Sequence, residues 1–197
     1  MAEALRIARS ELILGGQKSG KSRRAETLAR AWLAASPVHH AVLIATAQAW
    51  DGEMHERIAR HQMDRAARVP GLTTVEEPRA LAEKIMQHSR IDTLVVVDCL
   101  TLWLTNWLMP MAQKLEKNCS LTNENSALVT MLLEAISAAP GPVVLVGNEI
   151  GLGVIPLGAE VRVFVDALGR LNQDVARACQ RVTLMAAGLP LTLKDAG

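Results

Sequence analysis

The stretch Gly15–Ser22, GGQKSGKS, follows directly on the apolar run Leu12-Ile13-Leu14 and leads into the Ala-, Leu- and Arg-rich segment Lys21–Ala35. It fits the pattern G-x-x-x-x-G-K-[ST], with Gly15, Gly20, Lys21 and Ser22 at the fixed positions. A strand that runs into such a loop and then into a helix curls the backbone N–H groups of Gly15, Gly16, Gln17, Lys18, Ser19 and Gly20 toward one centre. The helix behind adds its positive N-terminal end. In that geometry Lys21 reaches the β- and γ-phosphates of a nucleotide, and Ser22 offers its hydroxyl to Mg²⁺.

The rest of the chain agrees with this start. Apolar runs of strand length recur at Leu12–Leu14, Val42–Ala45, Leu94–Val97, Val143–Val146 and Val182–Met185. They alternate little with polar residues, as strands buried on both faces do. Between them, helical character marks Lys21–Ala35, Asp51–Arg65, Pro78–His88, Leu102–Glu116 (broken near Pro110), Ser126–Ala138 and Asp166–Cys179. Arg65–Gly71 and Asn118–Asn125 read as irregular, the second as a surface excursion. The expected fold is α/β: one RecA-like P-loop domain with a mostly parallel sheet flanked by helices. It is expected over 11–197, behind an N-terminal extension 1–10.

Composition excludes several classes. A formal net charge of +1 over 197 residues leaves no broad basic face for nucleic acid. Cys99, Cys119 and Cys179 are too few and too scattered for a disulfide framework or a zinc site, and read as reduced thiols of a cytoplasmic protein. Met1–Ser10 lacks a long apolar core and reads as neither a leader nor a membrane span, and no other apolar run approaches the length of a membrane helix.

Two further features bear on chemistry. Leu94-Val95-Val96-Val97 ends in Asp98, a strand-end carboxylate suited to Mg²⁺ or its water shell, or else to capping the helix that follows. In Asp51–Arg65, Met54, Ile58 and His61 fall on one helical face, with Arg57 and Arg65 a turn to either side of His61. By periodicity alone His61 is either a half-buried histidine at an apolar edge or a nucleophile kept neutral by its cationic neighbours. His55 competes for the second role. His39 and His40 read as solvated.

The blocks LILGGQKSGKSRRAE, LIATAQAWDGEMHERIARHQMDR, TTVEEPRAL, VVVDCLTLWLTNWL, VVLVGNEIGLGVIP and LGRLNQDVARACQRVTLMAAGLPLTLK resemble, in order, the bifunctional adenosylcobinamide kinase / adenosylcobinamide-phosphate guanylyltransferase family. The resemblance implies two reactions. First, ATP or GTP phosphorylates the aminopropanol hydroxyl of adenosylcobinamide. Then GTP forms a GMP–histidine intermediate whose GMP passes to the cobinamide phosphate, giving adenosyl-GDP-cobinamide. The modified histidine falls on His61, which sets His55 aside. Nucleotide contacts fall on Gly15–Ser22, on Ala45, Thr46 and Ala47, on Gln62, Met63, Asp64 and Arg65, and on Glu76 and Asp98. Lys21 joins His61 as a catalytic group, and Mg²⁺ falls to Ser22 and Asp98. Glu76 suits guanine, because a carboxylate accepts from its N1–H and exocyclic amine. A homo-oligomer, a trimeric ring, is also implied. The chain departs from the family's pattern at Gln62, where a basic residue is frequent, at Met63-Asp64, in a longer Arg65–Gly71 stretch, at Gly147, where relatives carry Thr, and in the extension before Glu11. Within Asn148–Pro156, NEIGLGVIP, Asn148 and Glu149 are candidate contacts to corrinoid or nucleotide. The glycines of that block serve equally well as plain turn residues.

Overall fold

The computed structural model describes residues 5–48, 52–108, 121–154 and 156–196, with only the backbone described at 53–55, 57–59, 61 and 121–125. In chain order the elements are β1 (Ser10–Gly15), α1 (Lys21–Ala35), β2 (His40–Ala45), α2 (Gly52–Arg68), β3 (Leu72–Glu76), α3 (Leu81–His88), β4 (Thr93–Asp98), α4 (Leu100–Leu108), α5 (Leu121–Ala138), β5 (Val143–Val146), α6 (Ala159–Ala178), β6 (Arg181–Ala186) and β7 (Leu189–Asp195). The strands form one seven-stranded sheet in the order β3-β2-β4-β5-β1-β6-β7. Only β7 runs antiparallel to its neighbour.

Side-chain alternation along the strands divides the core in two. Leu12, Leu14, Val95, Val97 and Leu145 face a layer built by α3, α4, α5 and α6, including Ile85, Trp103, Ile136 and Leu171. Ile13, Leu94, Val96, Val144 and Val146 face the other way, onto Ala25, Leu28 and Ala29 of α1 and Val69 behind α2. Because both faces are covered, the central strands carry unbroken apolar runs, each fully buried Val, Leu or Ile contributing about 1.5–3 kcal/mol.

The structure corrects the element reading in several places. β3 and β7 are strands although neither forms an apolar run. β3 (LTTVE) and β7 (LPLTLKD) are the two edge strands, where one-sided exposure permits Thr and Pro. The stretch read as irregular from Arg65 is helical as far as Arg68, and Leu121–Asn125, read as part of an excursion, belong to α5. α6 begins at Ala159, seven residues before Asp166. α3 begins at Leu81, not Pro78, because the Glu77 carboxylate accepts from the backbone N–H groups of Arg79 (3.0 Å) and Ala80 (2.8 Å) and holds them in a turn ahead of the helix. Pro110, Cys119 and residues 118–120 lie outside the described residues.

The last residues of the 1–10 segment pack onto the domain. Ala8 is buried, Ser10 opens β1, and the Arg9 guanidinium donates to the Ser137 and Ala139 carbonyls at the C-terminal end of α5. Lys194 of β7 does the same for α6, donating to the carbonyls of Ala176, Arg177 and Cys179.

Candidate active site

Register brings the site together at one edge of the sheet. Ala45 at the end of β2 pairs with Glu76 of β3 on one side and Asp98 of β4 on the other. Asp98 pairs with Val146 of β5, Val146 with Ile13 of β1, and Gly15 with Met185 of β6. The strands are parallel, so their C-terminal ends form a row from Glu76 to the loop after Gly15, four strand spacings or roughly 19 Å. Open α/β sheets bind ligands at such an edge.

The loop itself is shaped by backbone. Gly15 (φ 152°) admits no side chain, since a Cβ there would lie 2.5 Å from the Met185 carbonyl oxygen. Lys18 and Gly20 take left-handed conformations (φ 56° and 101°), and Ser19 N–H donates to the Gly16 carbonyl at 3.3 Å. Such turns point successive N–H groups inward. The β6–β7 hairpin braces the loop: its two-residue turn Ala187-Gly188 has positive φ at both positions, and Gly188 N–H donates to the Ser19 carbonyl at 3.0 Å. Lys21 opens α1 and is buried, its Nζ donating to the Gly16 carbonyl at 2.6 Å. Burial holds the ammonium below its ordinary range, while Cys99 and Asp98 nearby pull it back up. The Cys99 thiol is pushed up to about 11, chiefly by burial.

Thr46 is held from inside the protein. It is fully buried, and its polar groups are taken up inside the protein. Its hydroxyl donates to the Cys99 carbonyl (2.7 Å) and accepts from Cys99 N–H (2.8 Å), its N–H donates to the Asp98 carbonyl (3.1 Å), and its own carbonyl accepts from Asn106 Nδ2 (2.8 Å). Thr46 thus ties the segment after β2 to the end of β4 and leaves the neighbouring Ala47 half exposed. Asn106, buried on α4, also donates to the Pro78 carbonyl, so one amide fixes both segments that flank Glu76.

α2 docks by side chains. Arg65 is buried, its guanidinium 3.5 Å from Asp98 and 3.8 Å from Glu26. Arg68 makes two hydrogen bonds to the same Glu26, at 2.7 and 3.0 Å. The charge of Arg65 is therefore directed at these carboxylates of α1 and β4. Gln62, one residue past His61, donates to Glu76 Oε1 at 2.9 Å and joins the helix to the end of β3. Met63 and Asp64 face solvent, and Asp64 pairs only loosely with Arg68 at 3.8 Å. The backbone of His61 lies within α2, and its side chain, like those of His55 and Arg57, lies outside the described residues. His39 is not simply solvated: it stacks on Trp32 at 3.8 Å, with Nδ1 2.8 Å from the Trp32 carbonyl.

The family model for cobinamide kinase / cobinamide phosphate guanyltransferase matches residues 11–193. The chain belongs to that family. It is 48% identical over 185 residues to the bifunctional adenosylcobalamin biosynthesis protein CobP of Pseudomonas aeruginosa, covering 93% of this chain and 96% of the relative. The bifunctional adenosylcobalamin biosynthesis proteins CobU of Escherichia coli and Salmonella typhimurium are 33% and 32% identical, with 93% of this chain and 98% of each relative covered. Among solved structures, flagellar accessory protein FlaH from Methanocaldococcus jannaschii aligns with a TM-score of 0.53 at 12% identity, over 98% of this chain and 81% of its own. A protein of Pyrococcus horikoshii OT3 aligns at 0.55 and 12%, over 98% and 89%. These two likenesses bear on the fold alone and agree with a RecA-like P-loop architecture. The chain is accordingly a bifunctional cobinamide kinase and cobinamide-phosphate guanylyltransferase of adenosylcobalamin biosynthesis.

Sequence reasoning did not find Glu26, Asn106, Asn172 or the hairpin tip. The available signal was a polar residue set into an otherwise apolar helix face, as Asn106 is within LTLWLTNWL.

Proposed function

We infer that both reactions use the one nucleotide site along this edge, with His61 as the guanylylated residue. The supporting observation is the lateral register of Glu76, Ala45 and Asp98 with the phosphate loop, to which Gln62 and Arg65 attach the helix carrying His61. The loop amides and Lys21 hold the triphosphate, and Glu76 accepts from the Watson–Crick edge of guanine. The oxygens of Ser22 and Asp98, with those of the nucleotide, make the hard donor set that suits Mg²⁺. When bound, that ion would neutralise phosphate charge.

In the first reaction the loop presents the γ-phosphate of ATP or GTP to the hydroxyl of adenosylcobinamide. In the second, an unprotonated imidazole nitrogen of His61 attacks the α-phosphorus of GTP. The bond to pyrophosphate breaks, and the GMP then passes to an oxygen of the cobinamide phosphate, releasing the histidine. A covalent intermediate divides transfer between two bulky substrates into two simpler steps. The enzyme works in the cytoplasm as a homo-oligomer, a trimer. Among the described residues no helix is long and apolar enough to cross a membrane.

The test uses GTP labelled in the α-phosphate. The wild-type chain with Mg²⁺ gains the mass of one GMP in an acid-labile, base-stable linkage. His61→Asn abolishes the adduct and keeps nucleotide binding, while His55→Ala keeps the adduct. A normal adduct on the His61 variant, or its loss only in the His55 variant, refutes the assignment.

A further inference from the structure

The first residues of the Asn148–Pro156 block stand beside the phosphate loop. β5 lies between β1, which carries that loop, and β4, which carries Asp98. The parallel ladder continues past the end of β5: Gly147 N–H donates to the Ile13 carbonyl at 2.9 Å, and Glu149 N–H to the Gly15 carbonyl at 3.0 Å. Glu149 is thereby fixed to the first residue of the phosphate loop.

Its carboxylate is held as well. Oε1 accepts from Gly151 N–H at 3.0 Å, and Oε2 from Asn172 Nδ2 at 3.4 Å. Asn172 is only 3% exposed on α6, and the same amide donates to the Asn148 carbonyl at 3.0 Å. This approach depends on Gly147, where a Cβ would stand 3.1 Å from Leu14 Cδ2 and 3.3 Å from Asn172 Oδ1. Both partners of the Glu149 carboxylate are donors, and a carboxylate keeps acceptor positions beyond two. Glu149 also lines a groove of about 1310 Å³ that opens outward between Ile150–Val154, α6 and β7, with Leu152, Val154 and Val163 on its walls. A large, mainly apolar groove ending in a fixed polar group is the usual form of a small-molecule site.

We propose that Glu149 is the proton acceptor of the kinase step, standing where the phosphate loop meets a groove that takes the bulky body of the hydroxyl-bearing substrate. The inference rests on the two-reaction reading above. The substrate hydroxyl oxygen attacks the γ-phosphorus, and the bond from that phosphorus to the β–γ bridging oxygen breaks. The nucleoside diphosphate departs with the electron pair. The hydroxyl proton passes to Glu149 and from there to water. Attack by His61 on the α-phosphorus requires no such base, because imidazole attacks through a nitrogen that carries no proton. The two reactions therefore separate this role from a general one in holding the nucleotide.

Glu149→Gln preserves the size of the side chain and an oxygen for Gly151 N–H. With adenosylcobinamide and ATP, its kinase kcat is expected to fall on the order of 100-fold or more, with KM for both substrates changed little. Its GMP adduct from labelled GTP is expected to form within a few fold of the wild-type rate, which also reports an intact fold. A kinase kcat within threefold of wild type overturns the proposal. So does parallel loss of kinase and adduct, which assigns Glu149 to the nucleotide or its metal ion. Absence of the adduct from the wild-type chain is a different result, and it refutes the histidine reading on which the proposal rests.

Discussion

The two ends of the nucleotide edge are built by different means. At the phosphate end, backbone does the positioning: glycines at 15 and 20, left-handed turns at 18 and 20, and the Gly188 N–H bracing Ser19 from the hairpin. Toward Glu76, the end proposed for the base, side chains far apart in sequence do it: Arg65 and Arg68 on Glu26, Arg65 on Asp98, and Gln62 on Glu76. A backbone cradle costs no reorganisation when charge arrives, which suits the phosphates of both reactions. An arrangement of ion pairs and one amide is easier to rearrange. That suits the role proposed for α2, whose histidine would have to reach the α-phosphorus in one reaction and leave the γ-phosphate clear in the other.

The comparison is broken most strongly at Lys21. Lys21→Ala is expected to reduce both cobinamide phosphorylation and GMP-adduct formation by about 3–4 kcal/mol in transition-state stabilisation, since one cradle serves both. Steady-state kinase rates and adduct mass measure it, and a kinase near wild type with the adduct lost would show that the two reactions use separate phosphate sites. Glu26→Gln acts at the other end. It leaves Asp98 as the one carboxylate paired with the buried Arg65 among the described residues and weakens the two hydrogen bonds from Arg68. A loss of about 2–3 kcal/mol in urea unfolding is expected, together with slower adduct formation and a smaller effect on the kinase. Equal slowing of both reactions would mean that α2 is no more separable than the loop.

Gly20→Ala sharpens the backbone half of the contrast. A non-glycine residue at φ 101°, with its Cβ 3.3 Å from Gly188 Cα, is expected to cost about 1–3 kcal/mol of stability and to weaken ATP and GTP alike. Unchanged unfolding and nucleotide affinity would remove the strain argument. Glu76→Gln is the most selective change. It is expected to raise the dissociation constant for GTP about tenfold while leaving ATP nearly unaffected, because only guanine offers that carboxylate two adjacent donors, its N1–H and its exocyclic amine. Equal losses in titrations with both nucleotides would reassign Glu76 to holding Gln62.

The contrast also explains what could be read in advance. Gly15–Ser22 and α1 were legible because a local spacing dictates a local backbone shape, and Lys21–Ala35 was recovered with its limits unchanged. The central strands were legible because burial on both faces leaves no choice but apolar side chains, as in Thr93–Asp98. β3 and β7 escaped because edge strands are excused from that rule, and the helical turn past Arg65 escaped because its residues are held by Glu26, more than forty positions earlier in the chain.

By itself, then, the sequence determined the phosphate loop, the doubly covered parallel sheet and the strand-end carboxylate Asp98. Each follows from short-range stereochemistry or from the periodicity of burial. Tertiary structure alone decided that Thr46 spends its hydroxyl on Cys99, that Arg65 turns its charge to Asp98 and Glu26, and that Glu149 is anchored beside Gly15. A side chain's hydrogen-bonding partner depends on which distant elements arrive at the same sheet edge, and strand order and register fix that, not local composition.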